Sequence, residues 1–298
     1  MRSPRFLPRT VVLLVMVFLA VDTAAESELS PHHYLPFSSD PSSFTGLGSW
    51  VFFTASTSDA GRELWRTDGT SLGTELFMDI VPGLEGSDPS NLVLFRDALY
   101  FSATNPGGGG DLWRSDGTRG GTQIVKRFSL PLHHFKFVVA GRSLFLVPDG
   151  LAVGNLWRSD GTADGTISLR AISGVSDAVA LGDSIMFAAR DLIVGRELWV
   201  SDGTVTGTRI IADLVPGYTD SSPRGLTTVG DSVFFSADNR LWRSQGTAQG
   251  TALVADFFLQ HSVAFEGALY FNRGSELWKS DGTASGTNIV RALPSWLL

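Results

Sequence analysis

The sequence predicts an all-β fold, a β-propeller of six four-stranded blades, on three observations. A tryptophan-centred segment recurs six times, each copy carries four short apolar runs, and no stretch shows a sustained 3.6-residue apolar period with caps. The tryptophans are Trp65, Trp113, Trp157, Trp199, Trp242 and Trp278, spaced 48, 44, 42, 43 and 36 residues apart. Short runs rich in Phe, Val, Ile and Leu, parted by Gly, Asp, Asn, Ser and Pro, are strands rather than helices. Four strands in about 40–45 residues, repeated, are the signature of propeller blades. A β-solenoid is the next-best architecture, but its rungs are shorter and do not need four strands each.

The elements of a unit follow in fixed order. A weak first strand is SFTGL (43–47) in the first unit and HSVAF (261–265) in the last. The second strand reads GSWVFFTA from Gly48, RDALYFSA from Arg96 and GDSVFFSA from Gly230. The third contains Leu-Trp, as in Glu63-Leu64-Trp65-Arg66. Successive side chains point to opposite faces, so Leu64 and Trp65 serve opposite sides of the blade. The tryptophan is expected to wedge against the next blade, burying about 150–250 Å². The turn Ser-Asp-Gly-Thr-x-x-Gly-Thr then leads into the fourth strand, as in TELFMDI from Thr74. Asp caps its own backbone two residues on, Gly supplies positive φ, and Thr suits strand re-entry. The turn aspartates are Asp68, Asp116, Asp160, Asp202 and Asp281, with Gln245 in the fifth unit.

The string ELWxSDGTxxGT resembles the bacterial ELWxxDGT repeat family, some of whose members are described as hyalin-like repeat proteins. The resemblance runs from residue 43 to about 291, with departures at Thr67, at Gln245, and at Asp111, Asn155 and Arg240, where the leading Glu is lost. It implies an exported, propeller-like bacterial protein and supplies no catalytic mechanism.

The N-terminus reads as an address. Arg2, Arg5 and Arg9 precede the apolar run Val11 to Val21, and Thr23-Ala24-Ala25 supplies small residues. This is the layout of a secretory signal peptide (residues 1–25). Eleven apolar residues are too few for a membrane span, which needs about 20. Residues 26–39 read as a linker and 40–298 as the repeat domain, periplasmic or extracellular, with no stable membrane span after cleavage. The sequence has no cysteine and no N-x-[ST] site, which excludes thiol chemistry and disulfides and leans towards bacterial export. A net charge of −7 argues against nucleic acid as a partner.

Candidate chemistry is sparse. Gly69 to Gly73 matches G-x-S-x-G, but inside a repeat turn and without the strand-to-helix setting a nucleophile elbow needs. The turn aspartates Asp68, Asp116, Asp160, Asp202 and Asp281 are weak calcium candidates, since each motif offers one carboxylate where calcium takes six to eight oxygens. No other cofactor is expected. Residues common to every blade build the frame, so a site should lie where the repeat is broken. The candidate loops are 83–90, 127–135, 147–154 and 216–225, and Tyr218, Asp220 and Arg224 suit glycan or peptide contact. The leading expectation is a non-enzymatic module binding protein or glycan at the cell envelope or outside the cell. The alternatives are an enzyme acting on extracellular polysaccharide, drawing paired carboxylates from Asp59, Asp88, Asp97, Asp149 and Asp191, and a purely structural surface protein.

Overall fold

In the computed structural model, which describes residues 38–129, 132, 135–150 and 154–293, the regular structure is antiparallel β-sheet. The first sheet is β1 (Ser42–Leu47), β2 (Trp50–Thr57), β3 (Gly61–Thr67) and β4 (Glu75–Met78), paired in chain order. The second is β5 (Ser90–Phe95), β6 (Ala98–Thr104), β7 (Gly110–Ser115) and β8 (Gln123–Phe128). A seven-stranded sheet follows: β9 (Phe135–Ala140), β10 (Ser143–Pro148), β11 (Gly154–Ser159), β12 (Ile167–Leu181), β13 (Ser184–Asp191), β14 (Gly195–Ser201) and β15 (Arg209–Ala212). Two four-stranded sheets complete the fold. They are β16 (Arg224–Val229), β17 (Ser232–Ala237), β18 (Arg240–Ser244) and β19 (Thr251–Ala255), then β20 (Ser262–Phe265), β21 (Ala268–Arg273), β22 (Glu276–Ser280) and β23 (Asn288–Ala292). The signal-peptide reading of residues 1–25, and the linker up to residue 37, lie outside the described residues.

The seven-stranded sheet departs from the sequence expectation of four separate short strands in every unit. β12 is one 15-residue strand serving two units. Residues 167–172 pair with β11, and from Ser173 onward it pairs with β13. The handover is at Gly174, whose φ of 61° only glycine adopts readily. The other four connections from fourth to first strand are longer, and three of them contain proline, whereas residues 172–176 are short and proline-free, so the chain passes from one unit to the next without leaving the sheet. Counting β12 in both units, the described strands make six four-stranded units, numbered here as blades 1 to 6.

Every blade carries the same irregularity. The ladder between its third and fourth strands shifts at the Leu-Trp step: at Leu64/Trp65, Leu112/Trp113, Leu156/Trp157, Leu198/Trp199, Leu241/Trp242 and Leu277/Trp278. One fourth-strand residue is thereby unpaired, a β-bulge that redirects its side chain. In blade 1 this is Phe77, which packs with Phe52 and Leu64.

Five apolar clusters each bridge two successive blades. The forward face of blade 2, with Phe95, Tyr100, Leu112 and Val125, meets the back face of blade 3, with Phe137, Leu144, Leu146 and Trp157. The tryptophans therefore sit as expected on the face opposite the repeat leucine, but the contact runs the other way. Trp113, Trp157, Trp199, Trp242 and Trp278 pack against the preceding blade, not the next one. The bulge explains this: it aims the fourth-strand apolar residue forward with the leucine, leaving the tryptophan the back face.

Candidate binding cleft

The repeat turn is built as the sequence implies. In blade 3, Asp160 Oδ1 accepts from the Thr162 amide at 3.0 Å and the Thr162 hydroxyl at 2.7 Å, and Thr162 Oγ1 accepts from the Gly165 amide at 3.0 Å. The pattern repeats at Asp68, Asp116, Asp202 and Asp281. Hydrogen bonding from the threonine two residues on holds all five carboxylates below their usual range. These aspartates are thus engaged as caps, and among the described residues no three acidic or histidine side chains cluster to hold a metal.

The turn lies against the preceding blade, and what covers its glycine decides where a cleft forms. Arg66 donates from Nη1 to the Gly117 carbonyl at 3.2 Å. Arg158 and Phe145 lie over Gly203, and Arg243 and Phe234 over Gly282. The third-strand cation is Arg66, Arg114, Arg158, Arg243 or Lys279 in five blades, but blade 4 has Val200. The second-strand aromatic is replaced there by Met186. A Cβ on Gly246 would accordingly meet only aliphatic carbons of Leu181 and Val200, at 3.6 and 3.9 Å.

The missing bulk opens a cleft of about 570 Å³ between blades 4 and 5, lined by Leu181, Val200, Asp202, Arg209, Asp231 and Gln245 among others. Gln245 stands where the other blades have the turn aspartate, and it donates from Nε2 to Asp231 Oδ2 at 2.9 Å. Bonds from the Ser232 hydroxyl, then Gln245, hold the Asp231 carboxyl below its usual range. The site combines two ionised carboxylates, a cation, an amide and an apolar floor, suited to orienting a polar ligand of modest size. Its sequence signal was legible: Val200 interrupts a column of Arg and Lys.

The loops singled out from the sequence lie at the other end of the blades, with the fourth-to-first and second-to-third connections. Tyr218 is 83% exposed. Asp220 is committed to Arg190 and to the Arg196 amide, and Arg224 stacks on Phe258 at 5.5 Å. Asp220 and Arg224 are thus each engaged by neighbouring residues, whereas the Tyr218 side chain is open to solvent. Residues 130, 131, 133, 134 and 151–153 of the candidate loops fall outside the described residues. Of the carboxylates considered for hydrolysis, Asp88 pairs with Arg62 at 3.7 Å, Asp191 caps the Ile193 amide, and Asp59 accepts from Ser58. The cleft contains none of the five.

Two buried glutamates were missed as anchors. Glu63 accepts from the Ser87 hydroxyl and the Val81 amide. Glu197 accepts from the Leu214 and Ser221 amides and the Ser221 hydroxyl. Each ties a long fourth-to-first loop to its blade. Burial pushes both carboxyls above their ordinary value despite these bonds. In blades 1 and 4 the leading Glu of the repeat string is therefore a loop anchor, whereas the equivalent Glu276 of blade 6 accepts from the Trp278 indole at 3.0 Å.

No known family model matches the chain, and no curated protein does. Among solved structures, an acylaminoacyl peptidase from Pyrococcus horikoshii is 12% identical with a TM-score of 0.50, covering 84% of this chain and 46% of its own. This chain thus spans less than half of that peptidase. The β-propeller domain of the Trilobed protease from Pyrococcus furiosus is 12% identical, TM-score 0.48, covering 86% and 85%. A nidogen/laminin complex is 14% identical, TM-score 0.41, covering 83% and 94%. At such identities the likeness concerns the fold, and the fold is a β-propeller.

Proposed function

We propose that this protein is an exported, non-enzymatic β-propeller of the ELWxxDGT repeat type, acting at the cell envelope or outside the cell, and that it binds a glycan in the cleft between blades 4 and 5. The observation that carries the reading is the pair of repeat-breaking residues, Val200 and Gln245, meeting in one cleft. Sugar hydroxyls would donate to Asp202 and Asp231 and accept from Arg209 and Gln245. Hydrolysis of polysaccharide is the weaker reading. It needs one carboxyl held protonated as general acid, and both Asp202 and Asp231 are shifted towards the ionised form.

The test is calorimetric titration of the protein with neutral oligosaccharides and peptidoglycan fragments, beside Val200→Arg, which restores the bulk other blades carry. Binding by the parent and at least tenfold weakening in the variant support the reading. Equal affinity in both proteins moves the site elsewhere, and release of reducing ends by the parent makes the protein an enzyme.

A further inference from the structure

The back face of blade 1 and the forward face of blade 6 have no counterpart in the described chain. On blade 6, Val263 is 60% exposed, Phe265 58% and Val290 52%. Their equivalents in blade 2 are Val93, Phe95 and Val125, which pack into the seam with blade 3, Phe95 at only 2% exposure. On blade 1, Phe44 is 57% exposed, stacked on Phe53 at 5.5 Å, which in turn lies 6.4 Å from Trp65. Its equivalents Leu92, Phe137, Ala178 and Leu226 are all buried. Gly69, the turn glycine of blade 1, has nothing within 4 Å of its side-chain position, whereas the turn glycines of blades 2 to 6 are all covered from the preceding blade.

The two faces also match in charge and register. Lys126, in the fourth strand of blade 2, lies 5.5 Å from the Trp157 ring of blade 3 and donates to the Thr166 carbonyl at 2.7 Å. Arg170, in blade 3, lies 5.0 Å from the Trp199 ring of blade 4 and donates to the Thr208 carbonyl. The residue at this position in blade 6 is Arg291, which is exposed. The tryptophan and threonine that stand in those places on blade 1 are Trp65 and Thr74. Among the described residues, a cation without its ring and a ring without its cation thus remain on two free faces, each flanked by unburied apolar side chains.

We propose that these two faces form a head-to-tail interface between copies of this chain: blade 6 of one copy seats on blade 1 of the next, with Phe265 and Val290 against Phe44 and Arg291 over Trp65. The five seams inside the chain are the template for the contact. Both faces are open to solvent among the described residues, and in this proposal a second copy supplies the matching face. Such a contact is heterologous and builds closed rings or open filaments, according to its rotation.

Sedimentation of the purified protein over a concentration series tests this with two blocked variants, Phe44→Asp and Phe265→Asp/Arg291→Glu. All three positions are exposed, so both variants should fold. The parent should associate with rising concentration. Each variant alone should remain monomeric, because it lacks one of the two faces, and mixing the two should yield a 1:1 dimer that grows no further. A parent that stays monomeric throughout overturns the proposal, as do variants that associate like the parent. The chain has no cysteine, so Phe44→Cys/Phe265→Cys gives a second reading. A disulfide joining two chains supports the interface. A disulfide within one chain shows that the ring closes on itself and overturns it, as does association that appears only after residues 294–298 are removed.

Discussion

Gln245 donates from its side-chain amide to Asp231 across 2.9 Å, in the one turn where the repeat aspartate is absent. Each of the other turns places a carboxylate at that position. The amide lets two neighbouring turns of blade 5 share a bond at the mouth of the cleft, where a carboxylate would repel Asp231.

Restoring the repeat at this point should therefore disturb the cleft. In Gln245→Asp a second negative charge faces Asp231 and the donated bond is lost. Both changes disfavour the ionised form, so the Asp231 pKa should rise. Carboxyl-carbon NMR titration of parent and variant reads this directly. An unchanged or lower value would separate Gln245 from the electrostatics of Asp231.

The seams between blades should carry most of the stability that one side chain can supply. Trp157 meets Phe128 edge-on at 5.0 Å and lies beneath Lys126. Trp157→Ala should cost about 3–5 kcal/mol in denaturant unfolding, through lost burial and the cavity left behind. At concentrations where the protein is monomeric, Trp65→Ala should cost less, because no preceding blade covers Trp65 among the described residues. Equal losses would contradict the open face of blade 1.

The second turn glycine is required for space rather than for conformation. A Cβ on Gly165 would lie 1.9 Å from Asp160 Oδ1, whereas on Gly250 the nearest atoms are Thr247 Oγ1 at 2.9 Å and Gln245 Cβ at 3.1 Å. Gly165→Ala must expel the Asp160 cap or strain the turn, an overpacking cost of about 1–3 kcal/mol. Gly250→Ala should be milder, and the order of the two melting midpoints checks this.

The buried glutamates give a pH dependence of defined sign. The carboxyl of Glu197 is raised above its ordinary 4.5 by burial, so the folded state binds its proton more tightly than the unfolded state. Its stabilising contribution is fully present below 4.5 and is lost as pH rises through the raised value. Gln at this position does not titrate. The stability advantage of the parent over Glu197→Gln should thus grow as pH falls from neutrality towards 4.5. An advantage that shrinks on acidification would mean that the amides of Leu214 and Ser221 outweigh burial.

The repeat unit, its four strands, the Asp cap and the positive-φ turn glycine were all determined by the sequence itself, because they depend on contacts a few residues apart. Side-chain alternation likewise placed Leu64 and Trp65 on opposite faces. Which face meets which neighbour was decided only in three dimensions, since the bulge at the Leu-Trp step sets the direction in which each blade is covered. The merging of two expected strands into β12 depended on pairing with both β11 and β13 at once. The cleft is an intermediate case: Val200 and Gln245 are visible departures from the repeat, but they lie 45 residues apart in the chain. Only the stacking of blade 4 on blade 5 brings them to one site. The unmatched faces of blades 1 and 6 were hidden for the same reason, since equivalent residues share one sequence pattern and differ only in whether a neighbouring blade covers them.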